Sequence, residues 1–249
     1  PRPAASILLL NPQNQILLMT RPTSKTMSFS GAVVFPGGNY SSSQDPSPRF
    51  CAVRELFEEC GVLLSKTGAI FSGNKACPWF DQARRDIHSG KTLFKDVLAE
   101  KNVSIDEDGL MEFTRWITPP NQKKRFDAQM YLYFMKEFRS EAERMDGKNK
   151  VEELPTTDGG VEVISTGFFG IEEALEMYGR KEITLFPPQF YLLNVLKHFL
   201  GSHLKEENSV KRAKLTSYLQ NSDFGTRTIQ PSVLEVLDDG RVVLGFGKD

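Results

Sequence analysis

One nine-residue segment constrains this 249-residue chain more than any other: Arg54-Glu55-Leu56-Phe57-Glu58-Glu59-Cys60-Gly61-Val62. From Phe50 to Leu63 the apolar spacing is helical, with Val53, Leu56 and Phe57 at i, i+3 and i+4 and Gly61 where the helix should end. Glu55, Glu58 and Glu59 keep the same spacing on the other face. Three carboxylates that close repel one another and oppose the helix. An isolated pattern of this kind is ordinarily a solvated acidic face. A divalent cation among the three glutamates gives the crowding a purpose, and hard oxygen ligands select Mg²⁺, Mn²⁺ or Ca²⁺.

The flanks favour the second reading. Gly31-Ala32-Val33-Val34-Phe35 is a strand candidate stopped by Pro36-Gly37-Gly38, and the Ser/Pro-rich stretch 41–48 is a loop leading into the helix. Ahead of it, Ile7–Leu10 and Ile16–Met19 flank an Asn/Pro-rich turn as a β-hairpin. Helices are expected over 78–88, 91–100, from 171 and over 188–199. Strands are expected over 126–138 and 161–169, and Arg115–Pro120 is an extended segment ending in a loop. Residues 140–160 form an exposed polar loop. Asp239-Gly240 marks a C-terminal hairpin turn. Strands interleaved with helices predict a layered α/β fold.

Composition narrows the function classes. With 31 Lys+Arg against 32 Asp+Glu the net charge is −1, so no overall field gathers nucleic acid or an anionic membrane. An anionic ligand must be held by local cations or a metal. The three cysteines show no CxxC spacing, which argues against a disulfide framework or a structural zinc site and fits a reducing compartment. His88, His198 and His203 have no ligand spacing and are assigned ordinary structural or surface roles. Phe168 and Phe169 are core positions first and adenine-stacking candidates second.

The segment from Arg54 to Val62 resembles the Nudix hydrolase signature, which runs Gly, five residues, Glu, seven residues, Arg-Glu-apolar-any-Glu-Glu-any-Gly-apolar. The second half matches throughout. In the first half the loop from Gly38 to Arg54 is two residues longer, and the expected Glu falls at Gln44 with Asp45 next to it. Further segments are similar to the coenzyme A diphosphatase branch of that family. They are Phe35-Pro36-Gly37-Gly38, Cys51-Ala52-Val53-Arg54-Glu55, Arg115-Trp116-Ile117-Thr118-Pro119, Arg125-Phe126-Asp127 and Pro187-Pro188-Gln189-Phe190-Tyr191.

The resemblance implies a single Nudix domain over 1–249, with a mixed β-sheet between helices. The chain is longer than a minimal fold of the family. The surplus is assigned to a helical insert about 64–113, the polar loop about 140–160 and a C-terminal elaboration. It also implies metal-dependent hydrolysis of a diphosphate bond, with coenzyme A or acyl-coenzyme A favoured as substrate. Another nucleoside diphosphate derivative (NADH, ADP-ribose, a capped RNA end) and a catalytically silent binding protein are the alternatives. Mg²⁺ or Mn²⁺ would be held by Glu55, Glu58 and Glu59 with the Gly38 carbonyl. Arg54 would orient a glutamate and brace the loop. Glu55 is the first choice of general base and Glu162 the second. Arg21, Gly37 and Gly38 are candidates to meet the diphosphate, and Lys123, Lys124 and Arg125 to meet a 3′-phosphate. No membrane or nucleic-acid partner is expected. An intracellular protein is expected. The branch is associated with peroxisomes, yet the chain ends Gly247-Lys248-Asp249, which is not a peroxisomal tripeptide. The cytoplasm and the mitochondrion therefore stand beside it.

Overall fold

A computed structural model describes residues 1–21, 32–136, 150–155, 161–238 and 242–246, with the backbone alone over 150–155 and 161–164. The chain passes through β1 (Arg2–Leu10), β2 (Ile16–Thr20), β3 (Val33–Val34), β4 (Gly37–Asn39), α1 (Pro48–Cys60), β5 (Val62–Ser65) and β6 (Gly68–Phe71). Next come α2 (Phe80–His88), α3 (Phe94–Glu100), β7 (Met111–Ile117), β8 (Phe126–Phe134), β9 (Lys150–Pro155) and β10 (Val161–Phe169). It closes with α4 (Ile171–Gly179), α5 (Pro187–Leu200), α6 (Asn208–Asn221), β11 (Thr228–Ile229), β12 (Ser232–Val236) and β13 (Val242–Gly245).

The main sheet is mixed, in the order β11-β7-β8-β1-β2-β10-β9. β1 runs parallel to β8 along nine residue pairs, from Arg2↔Phe126 to Leu10↔Phe134. β1 and β2 form the expected hairpin but meet only at Leu10↔Ile16. In the turn, Asn11 Oδ1 accepts the N–H groups of Gln13 and Gln15 at 3.0 and 2.9 Å. Beyond it the strands splay and the 33–39 segment fills the wedge. β3 pairs β2 at Met19↔Val34, and β4 pairs β1 at Ser6↔Gly37 and Ala5↔Gly38. β3 ends before Pro36 as expected, and Gly37-Gly38 open a new strand on β1.

β1 shows why helices cover both faces. Ile7 and Leu9 are fully buried on one side, with Val53, Leu56 and Phe57 of α1, Phe80 of α2 and Phe94 of α3. Leu8 and Leu10 are fully buried on the other, with Ile171, Leu192, Leu196 and Leu215 from α4, α5 and α6. A strand buried on both faces is a continuous apolar run, as Ile7–Leu10 is. The fold is thus a mixed α/β sheet between helices.

Several expectations need correction. The helix begins at Pro48 and ends at Cys60, and Leu63 belongs to β5, which pairs β6 antiparallel. Residues 64–113 therefore open with most of a β-hairpin before their two helices. Within the polar 140–160 stretch, β9 pairs β10 from Lys150↔Thr166 to Pro155↔Val161, and the other residues lie outside the described set. α6 is an element the spacing did not suggest. β12 and β13 pair as a hairpin, with the Asp239-Gly240 turn itself outside the described residues. Phe168 is buried in the α1-side core and Phe169 packs against the opposite core.

Candidate functional site

α1 starts at Ser47, whose Oγ accepts the Phe50 N–H at 2.9 Å, with Pro48 at the first helical position where a missing N–H costs nothing. It stops at Gly61, left-handed at φ 63°, whose N–H donates to Phe57 O at 3.1 Å. Its apolar face is fully buried, so the opposite face is presented to β4 and to the end of β2. Truncating Phe57 there would cost about 3–5 kcal/mol.

Arg54 is the hub of that face and is 3% exposed. Its Nε and Nη2 hold both oxygens of Asp45, at 2.7 and 2.9 Å. Its Nη1 donates to Glu55 Oε1 at 2.9 Å and to Glu58 Oε1 at 3.0 Å, and Nη2 also reaches Asn39 O at 3.1 Å. Asp45 is itself buried, and its Oδ2 accepts the Ser41 N–H. The carboxylate meeting Arg54 from the lengthened loop is therefore Asp45, one residue past the position the Nudix pattern marks. Burial alone would weaken the Arg54 cation. Its hydrogen bonds to Asp45 and the charges of Glu55 and Glu58 hold its pKa well above the ordinary value.

Glu59 has different partners. Arg21, following β2, donates Nη2 to Oε1 at 3.1 Å, and the Gly37 N–H donates to Oε2 at 3.0 Å. Glu55 lies under Gly38, where a β-carbon would meet its carboxylate oxygen too closely, so a side chain at residue 38 would push the glutamate aside. The Glu55 pKa is pushed up to about 8, first by burial and then by the charges of Glu59 and Glu58, with Arg54 acting in the opposite sense. Burial also pushes up the Cys51 thiol beneath this face.

Arg54, Glu55, Glu58, Glu59, Arg21, Gly37 and Gly38 thus come together. Among the described residues no three His, Cys, Asp or Glu side chains form a ready-made metal cluster, and the glutamates have Arg54 and Arg21 as partners. As a donor set they suit a hard divalent cation. They offer carboxylate oxygens, and the charge repulsion at Glu55 is what a cation would relieve. Lys123 and Lys124 are exposed in the loop between β7 and β8, and Arg125 donates its Nε to Thr118 O at 3.0 Å. Glu162 is in β10 opposite Leu154, and its side chain lies outside the described residues.

Arg84 and His88, in segments that also resemble the coenzyme A diphosphatase branch, are given no site role from the sequence. His88 packs beside the site, with its Nδ1 3.9 Å from Glu58 Oε2. Arg84 is 2% exposed and donates to the backbone carbonyls of Glu58 and Glu59, both at 2.8 Å. Both sit more than twenty residues beyond the helix they touch, and no local spacing announces them. Among the described residues, no helix is long and apolar enough to cross a membrane.

Comparison with known proteins agrees with this architecture. A Caenorhabditis elegans protein assigned as nudix hydrolase 7 is 34% identical over 134 residues, which is 53% of this chain and 43% of that protein. Human acyl-coenzyme A diphosphatase NUDT19 is 29% identical over 170 residues, covering 63% of this chain and 40% of that protein. The chain thus matches less than half the length of either relative. The crystal structure of a Nudix hydrolase from Alicyclobacillus acidocaldarius superposes with a TM-score of 0.58 at 23% identity, over 78% of this chain and 90% of that one, a likeness of fold. The family model of the NUDT19 Nudix domain matches residues 42–196, more than half of the sequence and the whole of α1, and the chain belongs to that Nudix family.

Proposed function

We propose that this chain hydrolyses a diphosphate bond, with coenzyme A or an acyl-coenzyme A as substrate and 3′,5′-ADP and (acyl-)4′-phosphopantetheine as products. The observation that carries the reading is the largely buried carboxylate face of α1 beneath Gly37-Gly38, inside the stretch matched by the NUDT19 Nudix domain. The name of the human relative supplies the substrate class. All 249 residues are read as one domain, with α2 and α3 inside its insert.

Nudix hydrolases generally use divalent metals, and Glu55, Glu58, Glu59 and the Gly38 carbonyl are the groups proposed to hold Mg²⁺ or Mn²⁺. When bound, the ion neutralises diphosphate oxygens and lowers the pKa of water. The rest falls to the chain. Gly37 and Gly38, lacking side chains, let the backbone approach a phosphate closely. Arg21, now on Glu59, has the fork geometry to take up a diphosphate oxygen pair instead. Glu55 Oε accepts the proton of the attacking water as its oxygen bonds to phosphorus and the bridging P–O bond breaks. Arg54 holds Glu55 and Glu58 in place against Asp45. Glu162 is the second candidate base. Lys123, Lys124 and Arg125 are proposed to meet the 3′-phosphate.

The arginine partners of the glutamates favour one other reading, a Nudix-fold module that binds its ligand without turnover. Incubation of the purified chain with coenzyme A, NADH, ADP-ribose and a cap analogue, each with Mg²⁺ or Mn²⁺, separates the cases. Preferred release of 3′,5′-ADP from coenzyme A is the expected result. Faster turnover of another substrate overturns the substrate assignment, and binding without products points to the silent module.

A further inference from the structure

α2 lies in the segment that lengthens the chain between α1 and β7, and its sequence separates an anchoring face from a polar one. Phe80, Ala83 and Ile87 are buried in the α1-side core, where the Phe57 and Phe80 rings stand 4.8 Å apart. In the first turn Asp81 accepts Ser72 Oγ at 2.6 Å and the Gly73 N–H at 3.1 Å, fixing α2 to the end of the β5–β6 hairpin. Arg84 and His88 follow one turn apart, so they share a face. That face meets the last turn of α1.

Each makes contacts that packing alone does not require. The carbonyls of Glu58 and Glu59 are in the final turn of α1, where helix carbonyls lack intrahelical donors. The Arg84 guanidinium spans both, Nε to Glu58 O and Nη2 to Glu59 O at 2.8 Å each, and places its charge at the negative end of the helix dipole. A β-carbon at residue 61 would fall 2.9 Å from Arg84 Nη1, so Gly61 ends the helix and also admits the clamp. His88 faces the side chain instead. The Glu58 carboxylate lies between Arg54 Nη1, 3.0 Å from Oε1, and His88 Nδ1, 3.9 Å from Oε2. The His88 ring is 12% exposed, and its Nε2 is buried without a hydrogen-bond partner among the described residues.

We infer that Arg84 and His88 are positioning residues for the carboxylates of α1. Arg84 fixes the backbone that carries Glu58 and Glu59, and His88 sets the orientation of the Glu58 carboxylate. The inference rests on the proposed metal-dependent hydrolysis and adds that the insert takes part in building its centre. Groups that orient metal ligands from behind typically change metal affinity or activity about 10- to 100-fold when removed.

The test compares His88→Asn with His88→Gln in the full chain. The Asn amide can place an N–H where Nδ1 stands, whereas the Gln amide reaches past it, and both variants are polar and of similar size. Three quantities are read: free Mn²⁺ by electron paramagnetic resonance during titration, the melting temperature without metal, and kcat and KM for coenzyme A. His88→Gln is expected to bind Mn²⁺ about tenfold more weakly and to lose about tenfold in kcat, with KM within twofold. His88→Asn is expected to recover most of both, and the metal-free melting temperatures of the two variants should agree. Arg84→Lys, which keeps the charge but not the double contact, should also weaken Mn²⁺ binding. Wild-type Mn²⁺ affinity in both His88→Gln and Arg84→Lys overturns the inference alone, as does equal loss in the Asn and Gln variants. A wild-type chain that binds no Mn²⁺ overturns the proposed function and the inference with it. Mn²⁺ binding without hydrolysis overturns the activity, and the titration still decides on positioning.

Discussion

α1 and the β12–β13 hairpin invert the usual rule of burial in opposite directions. α1 buries charge: Arg54 is 3% exposed and Glu59 8%. The hairpin exposes apolar side chains, with Leu234 at 67%, Val236 at 63% and Val242 at 50%. The helix sustains the inversion because its charges have partners. Arg54 alone touches both Asp45 oxygens, Glu55, Glu58 and Asn39 O. Among the described residues the hairpin pairs only its own two strands, and next to β13 Phe246 packs on Trp116 and Tyr191 with ring centres 5.8 and 5.2 Å apart. A two-stranded ribbon contributes little stability by itself. Hydrophobicity along the chain is therefore a poor guide to which region holds the structure together.

Breaking the buried network should have the largest effect on stability. Arg54→Ala leaves Asp45 buried without its counter-charge, a loss of about 3–5 kcal/mol, which lowers the melting temperature by about 10 °C in calorimetry. The metal-free pH dependence should come next. Glu55 titrates at about 8 in the fold and near its ordinary 4.5 when unfolded, so between those values the folded state holds the extra proton. Stability therefore falls as pH rises through that window, by at most about 1.4 kcal/mol per unit, and levels off above it. Thermal melts in EDTA should show this slope, and Glu55→Gln should remove it.

The cations of the β7–β8 loop test the same contrast on the binding side. Replacing Lys123, Lys124 and Arg125 together with alanine should leave the melting temperature nearly unchanged. The kcat/KM preference for coenzyme A over dephospho-coenzyme A should fall about tenfold, the loss of about one charge-assisted contact. Unchanged discrimination would remove the cluster from the 3′-phosphate site. The smallest effect belongs to the hairpin: Val236→Ser should shift stability by less than about 0.5 kcal/mol. A large loss there would show that the ribbon is packed against something and would break the contrast.

Regularity decides what was legible in the sequence. α1 could be drawn from Val53, Leu56 and Phe57 with Gly61 beyond them, since a helical stripe and a left-handed cap are local signals. The alternation that puts Ile7 and Leu9 on one face of β1 and Leu8 and Leu10 on the other is equally local. Asp45 was visible as the acid nearest the marked position, but its bond to Arg54 depends on how a loop two residues longer folds back. Arg84 and His88 reach α1 only through the packing of α2, which no spacing encodes. α6 was hidden because charged residues occupy inward positions. Lys211 is buried with its Nζ 3.1 Å from Gly201 O, and Arg212 donates to Asn14 Oδ1 at 2.7 Å and lies over the Phe134 ring. Long side chains that bury their stems and satisfy carbonyls with their ends look like surface until their partners are placed. β9 is similar, a polar segment whose register comes from β10.

The central claim is that the carboxylate face of α1 carries a metal-dependent diphosphatase. Its most direct test is product analysis of coenzyme A incubated with Mg²⁺ or Mn²⁺ and either the wild-type chain or Glu59→Gln. The wild type should release 3′,5′-ADP and 4′-phosphopantetheine, with no products in EDTA and at least about a thousandfold lower kcat in a Glu59→Gln chain with unchanged circular dichroism. Sustained hydrolysis by that folded variant, or metal-independent turnover by the wild type, would contradict the claim.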